Sequence, residues 1–291
     1  MTSPDKPSYS SLPLSGRIKH RLDWGRLMFS IARRESGMGS SAPDPVGAWV
    51  RTLRRDGIVV IPDFLSGDEI EALQGHLDAI DLEALPEGGY HKVMSRVWRS
   101  GRDFRLWHVD RVSEAVRDAY AEREIFQQIA EAFYGVPGLR ESTIYQRTYE
   151  SHPDRWQRRL GAQGLHFDTI YSTLKIFLYL DDVPSECGPY CYVPGTQQLT
   201  SYGKFRKLWD FYLDIYGLYD SEAFAAYYSD EEEERYGLRS RLKEVTGKKG
   251  TLILTNTRGL HRAGTIAAGH ERGVLVNTYR ASTMPHFPMD Y

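Results

Sequence analysis

The sequence predicts a mainly β chain with flanking helices, an α+β architecture built as a sandwich or barrel. Three observations carry this. From Ser142 onward the chain divides into short apolar runs separated by turn residues, the pattern of short strands with regular turns. Ahead of them lie amphipathic helical stretches, one opened by a capping box. A Tyr-rich helical stretch, about 199–245, then interrupts the strands and is far longer than an ordinary strand connection.

The 291 residues, 41% hydrophobic and 26% charged, suffice for one large β-rich domain with decorations or for two small ones. A formal net charge of −2 offers no strongly basic face, so no nucleic-acid partner is expected. The 19 tyrosines suit pocket walls, each burying a large body while keeping a polar tip. Two cysteines, Cys187 and Cys191, read as reduced thiols of a cytosolic protein rather than a disulfide framework. No run of about 18 apolar residues is present, so no membrane span is expected. Met1-Thr2-Ser3-Pro4-Asp5 lacks a basic start followed by an apolar core and does not read as a signal peptide. The expectation is a cytoplasmic protein, monomeric or homodimeric, acting on a small molecule.

Residues 1–45 read as a partly flexible N-terminal extension, rich in Ser, Pro, Gly and Arg. Trp24, Leu27, Met28, Ile31 and Ala32 have helical spacing within it. The main domain, 46–291, opens with the strand Gly57–Ile61, closed by Pro62-Asp63. Ser66 and Glu69 then form a capping box ahead of Ile70, Leu73, Leu77 and Ile80 on one helical face. A second helix is predicted from Ser113 to Phe133, ending at Gly135 and Pro137. Strands follow at Thr143–Glu150, Leu174–Leu180, Pro189–Val193, Thr251–Thr255 and Val274–Tyr279, with a loop from Ser151 to Gly164. The insertion holds Trp209, Tyr212, Tyr216, Tyr219, Tyr227 and Tyr228, then the acidic run Glu231–Glu234. It is expected either to decorate the outer wall or to form a mobile lid, anchored at its ends and free in its middle, with Trp209, Tyr212 and Tyr216 lining a pocket.

The chemistry centres on Leu165-His166-Phe167-Asp168. In a β-strand, residues two apart share a face, so His166 and Asp168 would project together. An imidazole beside a carboxylate can hold one metal ion, and His261 is the best candidate for a third ligand. Two His and one carboxylate with open positions form the facial triad of non-haem Fe(II) oxygenases. Three-residue patterns recur by chance, so the distant His and its surroundings carry the weight. Arg272 stands 272 − 261 = 11 residues beyond His261. A hairpin through Ala267-Ala268-Gly269 is expected to return it near that His. Its planar fork suits a carboxylate.

This pattern resembles the phytanoyl-CoA dioxygenase family of Fe(II)/2-oxoglutarate oxygenases, over roughly residues 50–282 given ordinary boundary error. The carriers are the opening strand and capped helix, His166-Phe167-Asp168, Gly188–Thr196, His261-Arg262-Ala263-Gly264 and Arg272. The resemblance implies a double-stranded β-helix, or jelly-roll barrel. It implies His166, Asp168 and His261 as Fe(II) ligands, and Arg272 as the partner of the distal carboxylate of 2-oxoglutarate. O2 would complete the cosubstrates, and the products would be succinate, CO2 and a substrate hydroxylated at an unactivated C–H.

Gln197 stands where the family often has His, and Ala263 where it often has Ser or Thr beside the cosubstrate, a role Thr265 or Thr278 would then take. Lys175 sits in an apolar strand, where alternation points it outward to water. The alternative is a cation facing the interior, beside a carboxylate. Gln146 and Arg280 are similar candidates for cosubstrate contact. His20, His91, His108, His152, His270 and His286 carry no comparable pattern and are assigned no role.

Asp168 favours hydroxylation over halogenation, since related halogenases replace this carboxylate with Ala or Gly. Desaturation, epoxidation and cyclisation share the same ligand set and stay open. A zinc hydrolase uses similar ligands, but Arg272 argues against it. A non-catalytic metal-binding cupin-like module and a scaffolding protein on the same barrel are the readings of other classes.

Overall fold

The computed structural model describes residues 8–36, 42–89, 91, 94–100, 103–150, 164–219 and 225–282. The expected loop 151–164 lies outside them except for Gly164, as do His152 and His286.

Helix α1 (Leu14–Ser36) opens the described chain. It contains the predicted Trp24–Ala32 stretch but is much longer. Helix α2 (Val46–Asp56) buries Val46, Val50 and Leu53 and stops at Gly57, whose φ of 81° is the left-handed cap. A side chain there would meet the Tyr192 hydroxyl. Strand β1 (Ile58–Ile61) follows, then α3 (Gly67–Asp78). The expected capping box is present: Ser66 Oγ accepts from the Glu69 amide, and the Glu69 carboxylate accepts from the Ser66 amide. It satisfies two orphan donors of the first turn.

The single helix predicted over Ser113–Phe133 is broken. The chain forms α4 (Val109–Val112), α5 (Glu114–Val116), a π turn (Arg117–Ala121) and α6 (Glu124–Tyr134). Side chains satisfy carbonyls around the break: Asn277 Nδ2 donates to Ala121 O at 3.2 Å, and Arg123 Nε to Ala119 O at 2.7 Å. α6 then ends at Gly135 in the left-handed conformation.

Among the described residues ten strands form two sheets. β2 (Arg96–Ser100) and β3 (Asp103–Trp107), not anticipated from the sequence, form an edge hairpin. With β1, β4 (Gly138–Thr148), β5 (Leu174–Tyr179), β8 (Leu252–Asn256) and β10 (Arg272–Ala281) they make a seven-stranded antiparallel sheet ordered β1-β8-β5-β10-β4-β3-β2. β7 (Lys243–Val245), β6 (Tyr190–Tyr192) and β9 (His261–Ala263) make a second sheet. The expected hairpin joining His261 to Arg272 is therefore not a pair of bonded strands. β9 pairs with β6 and β10 with β4 and β5, so the turn at Ala267–Gly269 carries the chain from one sheet to the other.

Both faces of the large sheet are covered. On one face Leu174, Ile176, Leu178, Leu252, Leu254 and Leu275 pack on Val50, Leu53, Ile70, Leu73, Phe126 and Phe133 of the helices. On the other, Phe177, Tyr179, Ile253, Val274 and Val276 face Tyr190, Tyr192 and Val245 of the small sheet. Each such side chain contributes about 1.5–3 kcal/mol when fully buried. This double burial corrects the orientation expected for Lys175. In β5 the odd-numbered residues point between the sheets, and the even-numbered ones meet helices, not water.

The insertion contains α7 (Lys204–Ile215) and α8 (Asp230–Arg235), the latter carrying the acidic run behind a second capping box at Ser229 and Glu232. Trp209, Tyr212 and Tyr216 pack against α1, with Trp24 within 5.6 Å of Trp209 and 5.4 Å of Tyr212, and His20 5.5 Å from Tyr216. Further along the insertion Tyr228 N donates to Leu165 O at 2.9 Å, and residue 227 bridges to His166. Leu165 and Phe167 join Trp24, Met28, Ile31, Leu208 and Phe211 in a second core. The residues alternating with His166 and Asp168 thus anchor the segment, while the two polar side chains turn the other way.

Candidate metal centre

His166 and Asp168 do not lie in a regular strand. His166 forms a single antiparallel bridge to His261, its N–H donating to His261 O at 3.0 Å and its carbonyl accepting from His261 N at 2.9 Å. Asp168 N donates to Thr257 O at 2.9 Å. Those bonds keep the segment extended, which is enough for the period-two argument. His166, Asp168 and His261 consequently each aim one ligand atom at a common point, all within 4.8 Å of one another.

The imidazoles are oriented from behind. Nδ1 of His166 lies 2.7 Å from Gly164 O, and Nδ1 of His261 lies 2.9 Å from Gly259 O. A carbonyl only accepts, so each Nδ1 carries the hydrogen. Each Nε2 is left with its lone pair toward Asp168 Oδ1, at 3.5 and 3.4 Å. Backbone carbonyls fixing the tautomer are the usual support of metal-binding His. Tyr227 stacks on His166 at 4.9 Å and 19°, and Tyr190 lies 5.6 Å from the His261 ring.

Lys175 is the fourth member. Its Nζ lies 2.8 Å from Asp168 Oδ2, so Oδ1 faces the two imidazoles while Oδ2 faces the ammonium. Burial alone raises the Asp168 carboxyl, but the Lys175 ammonium beside Oδ2 outweighs it and holds the group well below the usual carboxylate range. Burial lowers His261, against the pull of Asp168. An ionised carboxylate and a neutral imidazole are the states a metal requires. The donor set fits a divalent metal: two nitrogens and one oxygen converge, with their outer partners already made.

Arg272 lies deeper between the sheets. It is buried, it donates to Gly188 O, and its Nε has no hydrogen-bond partner among the described residues. No carboxylate pairs with it among them either. A buried guanidinium without a counter-ion is costly unless a ligand supplies one. Thr278, also buried, stands opposite Lys175 on the same inner row of β10 as Arg272, so the row runs from Lys175 and Asp168 to Arg272. Gln146 stands on that inner face opposite Val274 but is engaged with Asp103 Oδ1 and Thr148 Oγ1, both at 3.1 Å. Arg280 pairs with Glu141 at 2.6 Å. Of the substitutes for the family's Ser or Thr, Thr265 is exposed and only Thr278 faces inward. Gln197 donates to the last carbonyls of α2, Arg54 O at 2.9 Å and Arg55 O at 3.1 Å, a structural role. Tyr227 and Tyr190 were not assigned a site role by sequence reasoning. Tyr190 sits in the Gly188–Thr196 segment, but Tyr227 has no periodic signal within the insertion.

The sequence matches the phytanoyl-CoA dioxygenase (PhyH) family over residues 53–274. The chain belongs to the phytanoyl-CoA dioxygenase family. Its fold is that of several solved Fe/α-ketoglutarate enzymes. The non-haem α-ketoglutarate-dependent epimerase SnoN from nogalamycin biosynthesis superposes with a TM-score of 0.53 at 19% identity, covering 83% of this chain and 85% of that one. The carbocyclase SnoK of the same biosynthesis gives 0.53 at 17%, covering 83% and 85%. HygX from Streptomyces hygroscopicus, with nickel and 2-oxoglutarate bound, gives 0.54 at 14%, covering 84% and 89%. A comparison with curated protein sequences returns no match.

One expected outcome follows from the Lys175 pair. Lys175→Met leaves the half-buried Asp168 charge without its ammonium. The metal-free variant should lose stability on the order of 1 kcal/mol, a discounted figure for a partly exposed pair. A divalent metal supplies the missing charge. Thermal unfolding should therefore show a larger Ni(II)-induced rise in Tm for the variant than for the native chain. Equal rises would mean that Lys175 and the metal do not act on the same carboxylate.

Proposed function

We propose that this chain is a non-haem Fe(II)/2-oxoglutarate-dependent oxygenase that hydroxylates an unactivated C–H bond of a small molecule. The observation that carries the reading is the convergence of two Nε2 atoms and Asp168 Oδ1, backed by a buried Arg272 without a counter-ion among the described residues. His166, Asp168 and His261 would hold the iron, and Arg272 would receive the distal carboxylate of 2-oxoglutarate with Thr278 beside it. The bound iron and cosubstrate supply the oxidising chemistry, at the expense of 2-oxoglutarate and O2, with succinate and CO2 released.

The chain's own contribution is position and shelter. The Lys175 ammonium stands 2.8 Å from Asp168 Oδ2, so Oδ1 is the oxygen that would be offered to iron. Tyr227 and Tyr190 wall the two imidazoles and exclude water from their flanks. The second core behind Leu165 and Phe167 keeps the ligand segment rigid.

Natural-product, acyl or amino-acid-derived substrates are the classes in view. The epimerase and carbocyclase among its structural relatives favour a second reading, in which the same site abstracts hydrogen without inserting oxygen. A succinate-release screen over a metabolite panel, followed by mass analysis, tests both. The expected result is Fe(II)-dependent succinate formation and a product one oxygen atom heavier than its substrate. A product of unchanged mass, or two hydrogens lighter, would assign epimerisation, desaturation or cyclisation instead. Failure of the iron-loaded protein to bind 2-oxoglutarate would overturn the oxygenase reading and leave a metal-binding module.

A further inference from the structure

Helix α1 is amphipathic in an unusual sense, because it has two apolar faces. The inner one, with Trp24, Met28 and Ile31, is buried against α7 and the ligand segment. The outer one carries Leu14, Ile18, Leu22 and Phe29, which are 67%, 48%, 56% and 70% exposed. At about 100° per residue these four side chains fall in a stripe roughly 80° wide. Isolated exposed apolar residues are ordinary, but a continuous row on one helix marks a contact surface.

Cations border that row on both sides. Arg17 and Arg21 follow one edge, and Lys19, Arg26 and Arg33 the other; all five are exposed. The acids within the helix are Asp23 and Glu35; Asp23 lies 3.6 Å from Arg26, an exposed pair, and Glu35 is occupied by Arg258 at 2.6 Å. The chain as a whole has a formal net charge of −2, so the positive charge is local to this face.

We propose that α1 docks flat on an anionic lipid surface, its stripe entering the headgroup boundary and its flanking cations meeting the headgroups. An apolar face edged by Lys and Arg is the signature of a helix lying in an interface. Spanning is excluded for it, since no described helix is long and apolar enough to cross a membrane. Charge selects lipid over a second copy of the chain. Antiparallel self-pairing along the stripe would set the Lys19–Arg26–Arg33 edge against the same edge of its partner, a like-charge contact. A sheet of anionic headgroups meets both edges at once.

Vesicle sedimentation with the full chain tests this. The probes are vesicles of phosphatidylcholine alone and vesicles containing about one-third phosphatidylserine, a composition that gives a strongly negative surface. Binding to the anionic vesicles is expected to be at least about tenfold tighter than to neutral ones and to weaken as salt rises. The triple variant Ile18→Glu, Leu22→Glu, Phe29→Glu should lose about tenfold or more of that binding. Since these side chains face water, circular dichroism and iron stoichiometry should stay at native values. The variant Lys19→Gln, Arg26→Gln, Arg33→Gln removes only charge and should abolish the preference for phosphatidylserine. Absent binding to anionic vesicles, or equal binding by the native chain and either variant, overturns the proposal. So does a lipid-free dimer in sedimentation equilibrium that the triple variant dissociates, which would give the stripe to a second copy.

Discussion

His166→Ala is expected to leave the chain folded but almost free of iron, with 2-oxoglutarate turnover near background. The reason lies in how the site is built. His166 supplies one of three ligand atoms that lie within 4.8 Å of one another, and no other described His, Cys, Asp or Glu joins that group. Loss of an outer partner of a metal ligand already costs about 10–100-fold in affinity, and loss of the ligand itself should cost more. The fold should survive because His166 is held to His261 through backbone amides, at 3.0 and 2.9 Å, which the substitution keeps. Its neighbours Leu165 and Phe167 remain in their core. The variant gives up mainly the imidazole and its stacking on Tyr227.

Iron per chain, measured by elemental analysis after anaerobic loading, is the direct readout. Circular dichroism separates site loss from unfolding. Native iron stoichiometry in His166→Ala would sink the ligand assignment whatever the activity did.

The convergence of His166, Asp168 and His261 was legible in the sequence because it depends on a local rule and one distant residue. Two side chains two apart on extended backbone share a face, and this holds even though His166 makes only one bridge. Orientation against the rest of the fold was less legible. Lys175 was expected to face water because strand alternation usually has a wet side; here α2, α3 and α6 cover the outer face of the sheet, so the inward position holds the charge. The link from His261 to Arg272 had the length of a hairpin, yet it crosses between sheets, and spacing alone does not distinguish the two. β2 and β3 escaped notice because edge strands such as Arg96–Ser100 carry charge and lack a long apolar run. In α1 the inner spacing Trp24, Met28, Ile31 was readable, while the outer stripe blurred the contrast between faces and hid the helix's full length. The break before α6 could not be read locally, since one side chain that satisfies it, Asn277, arrives from β10.

Arg272→Lys should keep bound iron while weakening 2-oxoglutarate binding about 10–100-fold, the range expected when one or two charge-assisted hydrogen bonds are lost. Lysine preserves the positive charge, so any effect isolates the planar fork. The buried position sharpens the test, because water cannot replace the missing donor as it would at the surface. In the native chain the guanidinium already donates to Gly188 O and keeps its Nε unpartnered. One edge is therefore anchored to the protein, and the remaining donors are available to a ligand carboxylate. A lysine has no second edge to anchor, so its ammonium must choose between Gly188 O and the cosubstrate. Two measurements separate the alternatives: iron per chain, and the KM for 2-oxoglutarate at saturating iron. A raised KM with native iron content identifies Arg272 as the carboxylate's partner and leaves the triad intact. A native KM would move that role to another inward cation, with Lys175 first in line; there the Lys175→Met variant should show the KM defect that Arg272→Lys lacks.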